Sequence, residues 1–492
     1  MSVQQNLNDK EITSFKKVGE NYFFNTLLTI FVSLFPIITF PYVSRILGPT
    51  GLGKVTFAYS LANYFIIIVS LGLPYYGLRE ISKSRDNQET LNDKFSEFLS
   101  QNLVALVVFG LLYLFIISFI SKFRQDEALY LITGVAIVLS VFQVQWFYQG
   151  LEKFRFIAIV NIAMQFIAII LIFTFIKTEH DYVLYAITLL IAFFGSSILN
   201  LIYSRKYVHF RFQLRIKLED YKPFIYLYIY ILVMNIYLNL DKVILGFIAG
   251  DKYVGYYSPA NQIIKMVSVF VTSISTVLLP RISSYIKEQN EKEIALLSKN
   301  SLNFILMFAI PAAVGIAILA PEIIFLFSGP KFSESVLALQ LMVPVIVFTG
   351  ISNFLVLLIL IPRHQDKELV LTTLLGSIID VLLNILFVPS LDHIGTALAI
   401  LLTEIVVSVS QIFVTRKYFA EGLFSKNIWN YVIGSSLIGI TIFLVKVVFN
   451  SPLLVLFVGI GLSLLVYFIY LLITKDQIFY NIILSIKPAL FQ

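Results

Sequence analysis

The chain contains no cysteine, only two tryptophans and four histidines, and little charge. Without cysteine it has no disulfide and no thiolate chemistry, and the histidines, His180, His209, His364 and His393, lack metal-ligand spacing. Charged residues make up 13% of the 492 residues, against about 25% in soluble domains. Because 58% of the residues are apolar, a soluble enzyme or a nucleic-acid binder is excluded despite the net charge of +7. The composition predicts an all-α integral membrane protein that needs no cofactor or metal.

Long apolar runs, broken by charged residues, Pro and Gly, predict 14 transmembrane helices. The segment 1–20 is polar and begins no signal peptide, so the first run is expected to be an uncleaved span. The predicted spans lie near residues 21–43, 53–77, 98–121, 128–149, 156–177, 181–203, 223–249, 253–280, 300–320, 333–361, 367–389, 394–418, 428–449 and 452–474.

The basic residues give the predicted topology, because cytoplasmic loops of membrane proteins collect Lys and Arg. With both termini inside, the inner segments hold 26 of the 36 Lys and Arg residues and the outer loops hold 7. A miscounted span would disturb this alternation. The distribution therefore favours an even number of spans and cytoplasmic termini.

An internal repeat divides the chain. Ile46–Ser70 aligns without a gap with Ile244–Ser268, and 11 of the 25 positions are identical, including Gly, Lys and the run Tyr-Ser-x-Ala-Asn. The two copies lie six spans apart and so enter the membrane in the same direction, which predicts a parallel repeat. The predicted organisation is a cytoplasmic segment (1–20), a six-helix N-lobe (21–203), a basic cytoplasmic linker (204–222), a six-helix C-lobe (223–418), a C-terminal helix pair (428–474) and a cytoplasmic tail (475–492).

Two local motifs have structural interpretations. Gly48 to Lys54 fits the start of a phosphate-binding loop, but Val55 replaces the magnesium-binding Ser or Thr and no strand precedes it. We therefore expect a helix-to-helix turn and no nucleotide. In the linker 204–222 apolar and polar residues alternate, which indicates either an extended or interfacial stretch or a solvated basic segment.

Charged residues inside the predicted spans are candidates for function, because each costs roughly 2.5 to 3.5 kcal/mol at the bilayer centre. Lys265 lies on a polar stripe with Asn261, Ser268, Thr272 and Ser275, at spacings that share one helix face. This stripe indicates a wet cavity wall, although bonds to a neighbouring helix would also explain it. Asp241, Asp380 and Glu404 are candidates for ion or proton coupling, and pairing between lobes or locking of helices is the alternative role.

Several motifs together resemble the polysaccharide repeat-unit flippases of O-antigen and capsule synthesis, in the multidrug/oligosaccharidyl-lipid/polysaccharide (MOP) exporter superfamily. They are Ser44–Gly48, Tyr59–Asn63, Trp146–Gly150, Leu240–Gly246, Gly255–Asn261, Asn384–Pro389 and Gly395–Ala399 followed by Glu404. The resemblance covers essentially the whole chain. It implies two six-helix lobes with a terminal helix pair in the bacterial inner membrane.

The resemblance also implies a substrate, an undecaprenyl-diphosphate-linked oligosaccharide, which is moved from the inner to the outer leaflet by alternating access. Membrane lipids are implied partners, a polymerase and the chain-length machinery are candidates, and no nucleic acid or nucleotide is expected. The predicted diphosphate or acidic-sugar contacts are Lys265, Lys242, Arg45 and Arg281. Asn63, Asn235, Asn239 and Asn261 are expected to bond sugar hydroxyls, and the nearly uncharged spans 428–449 and 452–474 to support the lipid tail.

Two alternatives stay open from the sequence. A cation-coupled exporter of drugs or small amphiphiles shares the architecture but commonly carries a carboxylate in the first span, and residues 22–43 have no charge. A membrane glycosyltransferase or repeat-unit polymerase usually presents acidic motifs on large outer loops, whereas the outer loops predicted here are short.

Overall fold

The computed structural model describes residues 2–213, with side chains from Gly19, together with residues 228, 232, 235, 239–419 and 427–480. The chain divides into two compact units, Met1–Asn239 and Leu240–Gln492. The predicted lobe boundaries at 203 and 223 therefore stay a prediction. Residues 223–227, 229–231, 233–234 and 236–238 of the predicted span 223–249 and the end of the tail 475–492 fall outside the described residues.

Residues 2–204 of the first unit form nine α-helices. They are α1 (Ser2–Ser70), α2 (Leu73–Ser84), α3 (Gln88–Phe119), α4 (Ser121–Arg124), α5 (Glu127–Val141), α6 (Gln145–Gly150), α7 (Phe154–Phe175), α8 (Tyr182–Phe194) and α9 (Ser196–Ser204).

A helical stretch at 239–248 leads into the second unit, whose described residues form seven α-helices. They are α10 (Asp251–Lys287), α11 (Glu291–Ser328), α12 (Ser335–Met342), α13 (Val345–Leu355), α14 (Asp366–Thr415), α15 (Asn427–Val448) and α16 (Pro452–Ile473).

Eleven helices in the described part of the chain are long and apolar enough to cross a membrane, so the chain is an all-helical, multi-pass membrane protein. Two long helices contain a break between predicted spans. Gly48 (φ 66°) interrupts α1 and Asp392 (φ 49°) interrupts α14. Left-handed backbone of this kind ends a helix, so each break divides the apolar sequence where the sequence predicts a loop. The total of 14 spans stays a prediction.

Both copies of the repeat have a positive-φ glycine before a helix that carries Tyr-Ser-x-Ala-Asn. This glycine is Gly48 (φ 66°) in the first copy and Gly250 (φ 100°) in the second, although the gapless alignment pairs Gly48 with Gly246. Backbone with such angles favours glycine, because it has no Cβ. In each copy the tyrosine hydroxyl then bonds within its own unit, Tyr59 to the Ala186 carbonyl at 2.7 Å and Tyr257 to Asp241 at 2.6 Å.

The C-terminal helices α15 and α16 dock against α11 through polar bonds as well as apolar packing. The Lys446 ammonium lies 2.9 Å from Glu322 and 2.7 Å from the Ile318 carbonyl. The Tyr467 hydroxyl donates to the Met307 carbonyl at 2.8 Å. Lys446 thus has a structural partner on α11, and the helix pair is fixed to the second unit.

Residues 208–213 form an extended strap along α3. The backbone N–H groups of His209, Arg211 and Gln213 donate to Asn92 Oδ1, Ser96 Oγ and Ser100 Oγ at 3.0, 3.0 and 3.1 Å. Two extended residues advance about 6.6 Å and four helical residues about 6 Å, so alternate strap residues meet every fourth residue of α3. The prediction of an extended stretch is confirmed for this part of the linker.

We expect the double substitution Ser96→Ala and Ser100→Ala to release the strap. Each serine loses a net hydrogen-bond contribution of about 1 kcal/mol, so the open fraction should rise roughly thirtyfold. Trypsin cleavage at Arg205, Lys206 and Arg211 of the purified protein measures this opening.

The matched control is Ser118→Ala, since that hydroxyl on α3 bonds only the Leu114 carbonyl of the same helix. Equal cleavage rates in the control and the double variant would show that the serines do not hold the strap.

Candidate functional site

The polar stripe that contains Lys265 lies on α10 in the second unit. Its ends are buried, with Asn261 5% and Ser275 0% exposed, while Lys265 is exposed and Ser268 and Thr272 are half-buried. Lys242 and Asp241, from the helical stretch 239–248, are the charged groups that act on Lys265. The structure therefore brings together the two lysines that the sequence predicts as substrate contacts, and places an acidic residue with them.

Asp241 is held by a chain of hydrogen bonds. Its Oδ2 accepts from the Tyr257 hydroxyl at 2.6 Å, and its Oδ1 accepts from the Lys242 backbone N–H at 2.8 Å. The Asn261 amide in turn donates to the Tyr257 oxygen at 2.8 Å. Because Asp241 is 2% exposed and Lys242 9%, their opposite charges compensate each other away from bulk water.

Two further carboxylates belong to this group, and both lie on α14. Asp380 is 3% exposed and Glu404 8%, and Asp380 interacts electrostatically with both Asp241 and Glu404. Asn384 donates to Asp380 Oδ1 at 3.1 Å, whereas Asp380 Oδ2 is buried and has no hydrogen-bond partner among the described residues. An unsatisfied buried carboxylate oxygen is costly, and it marks a position that a proton or a cation would stabilise.

We call these five residues, Asp241, Lys242, Lys265, Asp380 and Glu404, the charged cluster. With every group ionised the cluster holds three negative and two positive charges. Such a cluster can bind a phosphate through its lysines, and it can take up a cation or a proton at its carboxylates. In the described part of the chain, no three acidic or histidine side chains converge into a metal site.

The other predicted contacts lie on α1, near the end of α10 and at residues 235 and 239. Arg45 on α1 is exposed, and Arg281 near the end of α10 is exposed and donates to the Tyr285 hydroxyl at 3.0 Å. Asn63 on α1 is half-buried. Asn239 donates to the Asn235 carbonyl at 3.4 Å. Of the predicted asparagines, Asn261 is the one that the described hydrogen bonds connect to Asp241, through Tyr257.

Sequence reasoning missed the role of Tyr257 and undervalued Asn384. Tyr257 holds Asp241, and the only signal for it is its place in the internal repeat. Asn384 follows Asp380 by one helical turn, a spacing that brings side chains together on one helix face.

The phosphate-loop-like motif forms the helix-to-helix turn that the sequence predicts. Its lysine, Lys54, pairs with Asp126 at 2.8 Å, and the same carboxylate accepts from the Tyr182 hydroxyl at 2.6 Å. Lys54 is therefore engaged in joining the end of α1 to α5 and α8.

Solved structures of other membrane proteins share this fold. A structure of the lipid II flippase MurJ, in an inward closed conformation, superposes with a TM-score of 0.63 at 22% identity, covering 90% of this chain and 99% of that one. An inward-facing multidrug resistance MATE family transporter of the MOP superfamily superposes with a TM-score of 0.60 at 15% identity, covering 78% and 94%. The chain therefore has the same fold as these two structures.

The sequence comparison identifies the family. The family model described as polysaccharide biosynthesis protein matches residues 18–286, and the chain belongs to that family. It is 25% identical over 385 residues to a protein of Escherichia coli (strain K12) named "Putative O-antigen transporter", covering 76% of this chain and 91% of the relative. A relative of the same name in Shigella dysenteriae is 25% identical over 380 residues. The resemblance inferred from the motifs is confirmed.

Proposed function

We propose that the chain is a flippase that moves an undecaprenyl-diphosphate-linked oligosaccharide from the cytoplasmic to the outer leaflet of the bacterial inner membrane. The observation that carries this proposal is the pair of lysines in the charged cluster of a chain that belongs to a polysaccharide biosynthesis family. A diphosphate is the anionic part of such a substrate, and ammonium groups in a water-accessible protein interior suit it.

In this proposal Lys265 contacts the diphosphate directly, because its side chain is exposed. Lys242, which is buried beside Asp241, increases the positive electrostatic potential at this position without contacting the diphosphate. Arg45 and Arg281 act at earlier or later positions along the path, and the predicted asparagines bond sugar hydroxyls. The proposal also includes 14 membrane spans with both termini in the cytoplasm. The two lobes move the substrate by alternating access.

The carboxylates give the proposal a means of coupling. When the diphosphate draws Lys265 away from Asp241, the cluster keeps three carboxylates close together, and like charges in a poorly solvated site repel. Uptake of a proton or a monovalent cation at Asp380 or Glu404 would offset this repulsion. Substrate and cation binding are then thermodynamically linked.

An apolar cavity of about 220 Å³ in the second unit suits the isoprenoid tail. It lies between α10, α11, α15 and α16, where Phe270, Phe308, Ile442 and Leu464 are among its lining residues. Apolar side chains dominate this lining, so a hydrocarbon segment would bury its surface there without leaving a polar group unpaired. The cavity supports the predicted role of the C-terminal helix pair.

Leaflet-resolved labelling of lipid-linked oligosaccharide in cells depleted of the protein tests the proposal. We expect build-up confined to the cytoplasmic leaflet, relieved by the intact gene. Normal leaflet distribution and normal surface glycan would contradict it. If depletion instead sensitises cells to cationic drugs, the chain is an amphiphile exporter, the second function that this fold accommodates.

A further inference from the structure

A second cavity, of about 340 Å³, lies within the first unit. It is enclosed by the end of α1, the start of α2, the middle of α3 and the segment from α5 to α6. Its polar lining includes Asn102, Ser140, Gln143, Gln149, Trp146 and Asn235. None of the residues described around this cavity is charged, which distinguishes it from the charged cluster of the second unit.

Three polar groups of this lining have no hydrogen-bond partner among the residues that the structure describes. Asn102 is 4% exposed, and its Oδ1 is buried and unpaired. The Gln149 amide and the Trp146 indole N–H also make no bond within the described ranges. Nearby amides are used differently, since Gln143 donates to the Phe193 carbonyl at 2.5 Å and Gln145 to Asn161 Oδ1 at 3.3 Å. Because buried polar groups are normally paired, the unpaired Asn102 Oδ1 indicates a ligand, and the half-buried Gln149 amide and the Trp146 indole N–H are available to bind it.

The wall that carries these groups is rigid. Trp146 is 6% exposed and packs edge-on against Phe98, with ring centroids 5.8 Å apart. A Cβ on Gly77 would lie 2.9 Å from the Trp146 ring, so glycine is what allows this close approach. Tyr148, two residues on, donates to the Asn200 carbonyl. The indole N–H and the amides are therefore held in place before any ligand enters, which lowers the entropic cost of binding.

We propose that this cavity is a subsite for an uncharged sugar of the lipid-linked oligosaccharide, a hexose or an N-acetylhexosamine; the proposal rests on the flippase function. Two amides and an indole N–H supply both donors and acceptors for hydroxyl and acetamido groups. A carboxylate or phosphate placed there would lose its hydration without a compensating cation. The volume is at the lower end of small-molecule sites and holds about one or two sugar rings.

The subsite lies at the end of the bundle that carries the loop Leu151–Lys153 after α6 and the residues after α9, Arg205 and Lys206. By the rule that cytoplasmic loops are basic, this end faces the cytoplasm. The subsite is thus positioned to contact the sugar before translocation.

The chain has only two tryptophans, Trp146 and Trp429, so the substitution Trp429→Phe leaves the cavity tryptophan as the sole fluorescent indole. We would titrate this full-length protein, purified in detergent, with the methyl glycosides of glucose, N-acetylglucosamine and glucuronic acid. A saturable change in emission is expected with the two uncharged glycosides. Binding of the glucuronide should be about tenfold weaker or absent, since its carboxylate is left uncompensated.

The additional substitutions Asn102→Leu and Gln149→Leu should each weaken binding of the uncharged glycosides about tenfold, through loss of a hydrogen bond that no other group replaces. Gln125→Leu, at an exposed position outside the cavity, is the matched control and should bind normally. No emission change with any glycoside, or unchanged binding in both cavity variants, would overturn the subsite. The leaflet assay is a separate test, so a failed titration beside a positive leaflet result removes the subsite and leaves the flippase standing.

Discussion

Replacing Lys265 with alanine is expected to reduce transport of lipid-linked oligosaccharide about ten- to hundredfold. A hydrogen bond to a charged group contributes about 1.5 to 3 kcal/mol, and each 1.4 kcal/mol is about a factor of ten. Lys265 is the exposed lysine of the charged cluster, so its loss removes a direct contact to the diphosphate. The measurement is the rate at which labelled sugars appear in the outer leaflet, normalised to the amount of protein in the membrane.

Two variants distinguish a loss of contact from a loss of folding. Lys265→Arg keeps the charge and should retain much of the transport rate. Lys252→Ala removes a lysine from the same helix, one that lies over the Tyr256 ring at 5.5 Å and outside the cluster, and should transport normally. Full activity of Lys265→Ala would remove this residue from the proposed site.

The substitution Asp241→Asn should have the second large effect, on both stability and transport. It removes the carboxylate that compensates Lys242 and Lys265 and that accepts the Tyr257 hydroxyl. Leaving a buried charge without its partner costs about 3 to 5 kcal/mol. We therefore expect a lower apparent melting temperature, measured on purified protein, and a transport defect in whatever protein reaches the membrane.

Asp126→Asn provides a matched control in the other unit. Asp126 also accepts a tyrosine hydroxyl at 2.6 Å and pairs with a lysine at 2.8 Å, but Lys54 is 25% exposed at its side chain, so water replaces part of the lost interaction. This variant should lose some stability and keep its transport rate per folded molecule. Equal transport defects in the two variants would show that Asp241 has only a structural role.

Much of the architecture could be predicted because apolar spans and basic loops are recognised from residues that are neighbours in the sequence. The breaks at Gly48 and Asp392 fall where charged or Gly-rich sequence interrupts apolar sequence. The extended strap at 208–213 follows from alternation of polar and apolar residues. Periodicity likewise placed Asn261, Lys265 and Ser275 on one face of α10.

The assembly of the sites could not be predicted in the same way. The grouping of Lys242 and Lys265 with Asp380 and Glu404 depends on packing between helices more than a hundred residues apart, and no spacing records it. The cavity around Trp146 and Asn102 is likewise formed by residues from separate helices. The motif Trp146–Gly150 contributed to the family resemblance, but its residue types alone do not reveal which polar groups lack partners.

The most direct test of the flippase proposal is transport by the purified chain in liposomes that contain a labelled undecaprenyl-diphosphate-linked oligosaccharide, with and without a proton or sodium gradient. The account predicts transfer of the sugar between leaflets in vesicles with the intact chain, at a rate reduced at least tenfold by Lys265→Ala. Vesicles with the intact chain that leave the oligosaccharide in its original leaflet under every gradient, yet accumulate a cationic drug, would contradict it.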